Sequence, residues 1–338
     1  MCDRVIGGAR IPLGIRRDRP ILEHRREFRL GDGGPDEEGE RIHRRALGVV
    51  LAVDEAQHLE MQVRRILRRV PRGADVADHI AAVHRLSLAD GGKKSWNFDT
   101  EVTSLAPRKQ GGFIGTVRHG FAFFDFSSDV VKPQLIVSFE TDIPGNRFND
   151  GKADVHGRFW AGTVDEANWR DETGTLYRMD RDLKIKEADA PYICSNGPAF
   201  SVDNKTFYHT ETMKGTVYAF DFSPGGEISN KRVFVKLKDG EGGPDGMTVD
   251  SEDCLWVCHF GGGRVTRYSP KGELLQTLMM PVPNVTSCTF AGKDLDTLFI
   301  TTARYGMSDE DVANYPIAGS LFSVKPGVRG LPVPMFGG

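Results

Sequence analysis

A short strand-and-turn unit recurs down this chain about every 45 residues, and that period limits the possible folds more than any other feature of the sequence. Its clearest copy runs from Glu241 to Leu275. There a PDG turn carrying Asp245 leads into an apolar run, Met247 to Val249, and a polar turn leads into a second, Leu255 to Cys258. After glycines 261 to 263, alternating residues Arg264 to Tyr268 close the unit. Three short strands joined by tight turns read as an antiparallel meander. A lone meander cannot bury its own faces, so the unit has to stack on copies of itself. The copies begin at residues 104, 149, 196, 245 and 287, in steps of 45, 47, 49 and 42.

Solenoid repeats of this length are mostly helical, whereas these units show no 3.6-residue apolar period. The pattern therefore predicts an all-β fold, a β-propeller. In a propeller the first strand of each blade runs beside the central channel, so equivalent positions converge on one axis. The residues that open the copies are Ser104, Asn149, Asn196, Asp245 and Ser287, all with side-chain oxygens. Singly, such residues cap turns. In register, they predict an oxygen-rich cup at one mouth of the channel, suited to a hard divalent cation.

The net charge of −3 gives no electrostatic case for nucleic acid. No apolar stretch reaches the roughly 18–20 residues of a membrane span, and the start lacks a basic-then-apolar secretory pattern. The five cysteines (2, 194, 254, 258 and 288) are odd in number and scattered. Cys254 and Cys258 sit about 13 Å apart along an extended strand, too far for a disulfide. Reduced thiols and a cytoplasmic location are expected. A structural zinc is not, because no Cys-x-x-Cys pair or histidine cluster is present.

Residues 1–82 differ from the remainder, 83–338. They hold sixteen arginines and no lysine, and Ser, Thr, Asn, Trp and Tyr are absent until Ser87. Leu47, Val50, Leu51, Leu59, Val63 and Leu67 show intermittent helical spacing. The segment reads either as a basic helical extension or as out-of-frame translation of G+C-rich DNA. Blade-like sequence starts at Val83, so a further blade would have to precede it. One period back from Ser104 the nearest carboxylate is Glu60, which reads either as a solvated helix-face charge or as that blade's carboxylate ligand to the cup.

Four blocks now point to a family. They are Arg147-Phe-Asn149-Asp-Gly with the following GRFWAGT, Ser195-Asn196-Gly-Pro-Ala-Phe-Ser, Pro244-Asp245-Gly-Met-Thr-Val-Asp, and Val282 to Arg304. In order and spacing, from about Val83 to Arg304, they resemble the gluconolactonase/regucalcin (senescence marker protein) family. The resemblance implies a six-bladed propeller holding one divalent metal ion (Ca, Zn, Mn, Mg or Fe). It implies metal ligation by Asn196, Asp245 and a first-blade Glu, and substrate contacts from Arg147 and Asn149. A further family glutamate falls at Ala167, one residue beyond Glu166, and is not carried over. The first-blade Gly-Glu-Gly-Pro motif has no match in 1–82, so that blade is atypical or incomplete.

The chemistry of these residue types agrees. Opening a lactone needs a polarised carbonyl and an activated water, and a divalent ion assists both. Asp245 is the expected catalytic base, Asn196 a neutral oxygen donor, and Arg147 a planar five-donor group able to grip hydroxyl and carbonyl oxygens. His119, His156, His209 and His259 read as structural, as do the blade-packing Trp160 and Trp256. The leading expectation is a metal-dependent lactonase acting on glucono- or pentonolactones. The alternatives are a hydrolase of other esters or phosphotriesters, and a non-catalytic calcium-binding or scaffold propeller.

Overall fold

The structure, a computed structural model, describes residues 81–338 in full and the backbone of two strands before them, 48–54 and 58–62. These two are β1 (Gly48–Asp54) and β2 (His58–Gln62), followed by β3 (Ala81–Ser87) and β4 (Lys93–Phe98). The next sheet is β5 (Val102–Pro107), β6 (Phe113–Val117), β7 (Gly120–Phe124) and β8 (Gln134–Ser138). Then come β9 (Asn146–Ala153), β10 (Phe159–Asp165), β11 (Gly174–Met179) and β12 (Ile185–Tyr192). A fourth sheet holds β13 (Ser195–Phe200), β14 (Thr206–Glu211), β15 (Thr216–Phe222) and β16 (Ile228–Lys236). A fifth holds β17 (Gly243–Val249), β18 (Leu255–Phe260), β19 (Arg264–Tyr268) and β20 (Leu274–Met279). The last has three strands, β21 (Val285–Ala291), β22 (Thr297–Thr302) and β23 (Leu321–Val324), with the helix α1 (Asp309–Asn314) before β23.

From β5 onward every sheet is an antiparallel meander in sequence order, and the chain is an all-β propeller. Among the described residues these are five regular blades, where the family resemblance implies six. The first sheet breaks the pattern. Its order is β2-β1-β3-β4, and β1 runs parallel to β3. The helical spacing of Val50, Leu51 and Leu59 misled: the chain there is extended, in β1 and β2. Short aliphatic runs with a weak 3.6-residue pattern fit either state. Leu47, Val63 and Leu67 lie outside the described residues. Glu60 lies on β2 opposite Ala52 rather than on a helix, and its side chain, like Cys2 and the rest of residues 1–47, falls outside the described residues.

The first strands of the blades stand side by side, β5 against β9, β9 against β13, β13 against β17 and β17 against β21. Core clusters fill the seams between sheets. Trp160 and Leu176 of one blade pack on Phe207 and Phe220 of the next, and Trp256 and Cys258 pack on Cys288 and Phe290. Outer strands such as β20 are largely exposed. The cysteines at 194, 254, 258 and 288 are free and buried, in keeping with the absence of a 254–258 bridge.

The tail after β23 ties off one end of the propeller. Arg329 O accepts from the Ser251 amide (2.8 Å), the Phe336 amide donates to Pro107 O (2.8 Å) and the Gly337 amide donates to Gly157 O (3.0 Å). These partners lie at or just past the ends of β17, β5 and β9, and Phe336 is completely buried among Ile114, Phe121 and Phe159. The strand beginnings, which carry Asn196 and Asp245, lie at the other mouth.

Candidate active site

Asn149, Asn196 and Asp245 each stand on the first strand of a blade, β9, β13 and β17, so the sheet geometry alone brings them to neighbouring positions. A chain of hydrogen bonds links them. Arg147 Nη1 donates to Asn149 Oδ1 (2.8 Å), and Asn149 Nδ2 donates to Asn196 Oδ1 (2.7 Å) and to Ser195 O (2.9 Å). Asn196 Nδ2 donates to Thr212 Oγ1 (3.0 Å), whose hydroxyl donates to Pro244 O (2.7 Å) at the start of β17. The amide of Asn196 is thereby fixed with its oxygen towards Asn149, and that oxygen keeps a second lone pair. Between the strands the backbones nearly touch. A Cβ on Gly197 (φ 48°) would lie 2.6 Å from Asp245 O, so only glycine serves there.

Asp245 is half-buried at the surface yet ringed by protein. Burial first, then the Asp150 carboxylate, pushes its pKa well above the ordinary value, and the Gly246 amide and Arg147 pull it back only in part. Burial also raises Asp150, which accepts from the Gly151 amide (2.8 Å) and the Gly197 amide (3.1 Å). Lys152, two residues on, is pushed down by burial and donates to Met247 O (2.8 Å). Neither carboxylate has a salt-bridge partner among the described residues, although the Lys152 charge acts on Asp150 through space, and Asp245 left in this way is suited to a cation. The donors Asn196 Oδ1 and Asp245 therefore suit a divalent ion in kind. They are few, for among the described residues no group of three His, Cys, Asp or Glu gathers to hold a metal.

Ser104 and Ser287 do not join this cup. The Ser104 hydroxyl pairs with Thr116 Oγ1 in its own blade (2.5 Å), and that of Ser287 packs where a side chain on Gly246 would stand. Both satisfy local packing, as isolated turn residues usually do. His259 is a satisfied structural histidine, bonded at 2.8 Å to Glu241 O and at 2.7 Å to Thr266 Oγ1. Trp160 and Trp256 are fully buried packing residues.

Several neighbours were not legible in the sequence. Glu166 accepts from Arg147 Nε (2.8 Å) and Arg118 Nη1 (2.8 Å), and Arg118 also meets Glu101 (3.2 Å). Burial would raise Glu166, but Arg147 and then Arg118 outweigh it and hold its carboxyl below the usual range. Arg147, 4% exposed, is locked in place rather than making a surface ion pair. Thr212 gave no signal at all in the sequence. For Glu166 the one available pointer was its place next to Ala167, where the family glutamate falls.

A second constellation at this end invites a different chemistry. Ser195 Oγ and His209 Nε2 lie 2.8 Å apart, the spacing of a nucleophile and its base. Both are completely buried, and Ser195 fills the space left by the absent side chain of Gly162. Burial lowers His209 to about 3, and its Nδ1 has no hydrogen-bond partner among the described residues to orient it. No substrate reaches that hydroxyl, so the pair is structural. Ser195→Ala should keep kcat within about threefold of the parent, and a serine-directed fluorophosphonate should label nothing at this position. Loss of activity by a factor of about 10² or more would instead mark a serine nucleophile.

Residues 78–304 match the family described as the SMP-30/Gluconolactonase/LRE-like region. Regucalcin from Oryctolagus cuniculus is 39% identical over 69% of this chain and 80% of its own length. The 6-deoxy-6-sulfogluconolactonase of Pseudomonas putida is 34% identical over 78% of the chain and 90% of its own length. Among solved structures, a luciferin-regenerating enzyme superposes with a TM-score of 0.75 at 27% identity, covering 88% of this chain and 97% of its own. Regucalcin from Agrobacterium tumefaciens, described as a calcium-binding protein, gives 0.70 at 26% identity, covering 75% and 85%.

Proposed function

The chain belongs to the SMP-30/gluconolactonase/LRE-like family, and on that premise we propose that it is a metal-dependent hydrolase opening a sugar lactone to its aldonic acid. The observation that carries the reading is the hydrogen-bonded run from Arg147 through Asn149 to Asn196. It ends beside Asp245, whose carboxylate has no salt-bridge partner among the described residues. Asn196 Oδ1 and the Asp245 carboxylate are the groups that would hold the divalent ion. When bound, the ion draws electron density from the lactone carbonyl and stabilises the negative charge that forms on it.

The residues of the chain do the rest. Arg147, held at Nε by Glu166 and at Nη1 by Phe148 O and Asn149, has only its Nη2 N–H groups left to meet the hydroxyl and carbonyl oxygens of the sugar. Asn149 fixes that orientation. Water adds to the carbonyl carbon as the Asp245 carboxylate takes its proton. The ring C–O bond then breaks, and the same proton passes from Asp245 to the departing ring oxygen. The ring ester and one water become one hydroxy acid, with no other reactant.

The named relatives support a lactone as the substrate and a divalent cation as the cofactor. We place the protein in the cytoplasm on the strength of its unpaired buried thiols, with a small molecule rather than a nucleic acid or membrane as its partner. A sixth blade would be completed by the sheet containing β3 and β4. The similar structure described as a calcium-binding protein supports one competing reading, a calcium-binding propeller without catalysis. A pH-indicator assay on glucono-, arabino- and xylonolactone separates the two. Ring opening that stops with excess chelator and returns with added metal is expected. Stoichiometric calcium binding without ring opening would establish the non-catalytic propeller, and activity that persists in chelator would end the metal mechanism.

A further inference from the structure

Between β10 and β11 the chain makes a loop, residues 166–173, that is held far more tightly than its polar sequence suggests. The buried Asp165 carboxylate accepts backbone amides from Ala167 (3.1 Å), Arg170 (3.3 Å) and Asp171 (3.1 Å), and Asn168 Oδ1 accepts the Arg170 amide again (2.8 Å). At the apex Trp169 adopts φ 59°. A bulky aromatic residue in the left-handed region is an outlier that persists only where its surroundings enforce it. The ring it presents is half-exposed, 5.8 Å from the Arg147 guanidinium carbon and 6.0 Å, edge-on, from the ring of Tyr305 in the loop after β22. The other three tryptophans, at 96, 160 and 256, are buried.

We propose that Trp169, with Tyr305 behind it, is the wall that selects the substrate of this site, packing against the C–H face of a cyclic sugar while Arg147 and Asn149 hold its oxygens. The inference rests on the lactonase reading. An aromatic face beside an arginine is amphipathic in the way a sugar ring is, with an apolar side and a rim of hydroxyls. Trp169 is therefore a specificity-determining residue and takes no part in proton transfer.

Two measurements test it. Trp169→Ala should raise KM for gluconolactone about tenfold with kcat within about threefold, and Trp169→Phe should recover most of the loss. Independently, titrating the metal-loaded wild-type protein with gluconate should change its tryptophan fluorescence, and the change should vanish in Trp169→Phe, whose remaining tryptophans are buried. If the wild type opens lactone while neither KM nor fluorescence responds to these changes, the wall is wrong and the lactonase reading stands. If no lactone opens yet gluconate still quenches Trp169, the wall stands and the lactonase reading fails. Absence of both signals overturns the proposal.

Discussion

Replacing Asp245 by Asn is expected to lower kcat for lactone opening by about three orders of magnitude while leaving the protein folded. The size follows from the role of the group. A positioned acid–base residue contributes about 10²–10⁴ in rate, and the amide can still offer an oxygen but cannot accept and return a proton. Stability should hold or rise. In the metal-free protein the carboxylate lies near that of Asp150, where burial and like charge both oppose its ionisation. Neutralising it removes that cost, the pattern expected where a fold keeps an unfavourable charge for function. Asp245→Asn with kcat within tenfold of the parent would remove Asp245 as the base. Loss of the β-sheet circular dichroism signal in this variant would show that the residue serves the fold instead.

The largest effect on stability is expected at Asp250, far from the chemistry. Its carboxylate accepts from Trp256 Nε1 (2.8 Å), Arg267 Nε (2.7 Å) and the Cys254 amide (3.1 Å), and it is wholly buried. The third sheet holds a related group, in which Asp154 accepts from Trp160 Nε1 (2.9 Å) and Arg158 Nε (2.6 Å), while Arg178, which faces Trp160, pairs with Asp180. Removing one partner of a buried ion pair strands the other, at a cost of about 3–5 kcal/mol. Asp250→Ala should lose about that much in denaturant unfolding, since it strands the indole N–H and the Cys254 amide and leaves Arg267 with only the exposed Glu252 as its carboxylate partner. The fourth sheet shows the alternative solution. There Ser201 occupies the aspartate slot, and Phe207 faces Phe220 where Trp256 faces Arg267. The charges are gained or lost together, so Asp250→Ala combined with Trp256→Phe and Arg267→Phe should recover a large part of the loss. A cost below about 1 kcal/mol for Asp250→Ala alone would show that the triad does not clamp the blade.

The propeller was legible because its signal is a period. Turn residues at 149, 196 and 245 return at nearly constant steps, and each lands on the first strand of a sheet. Register within the cup was less so. Ser104 and Ser287 share that register with Asn196, yet a short hydroxyl turns to the nearest threonine or packs on a glycine, whereas an amide reaches across to the next blade. Glu166 escaped because a one-residue offset in a loop is invisible to motif matching, while the folded loop needs only that a carboxylate reach Arg147. Ser195 and His209 stand fourteen residues apart in sequence, and only strand pairing brings them together. The residues of β1 and β2 misled for the opposite reason. Where arginine and small aliphatic residues dominate the composition, a weak helical spacing carries little information about an extended chain.

Calorimetric titration of the metal-free protein with calcium, zinc and manganese, beside Asn196→Ala and Asp245→Ala, tests directly whether side chains one blade apart share an ion. One equivalent should bind to the wild type, with affinity reduced at least about tenfold by Asn196→Ala and binding abolished by Asp245→Ala. Equal stoichiometry and affinity in all three proteins would contradict the account.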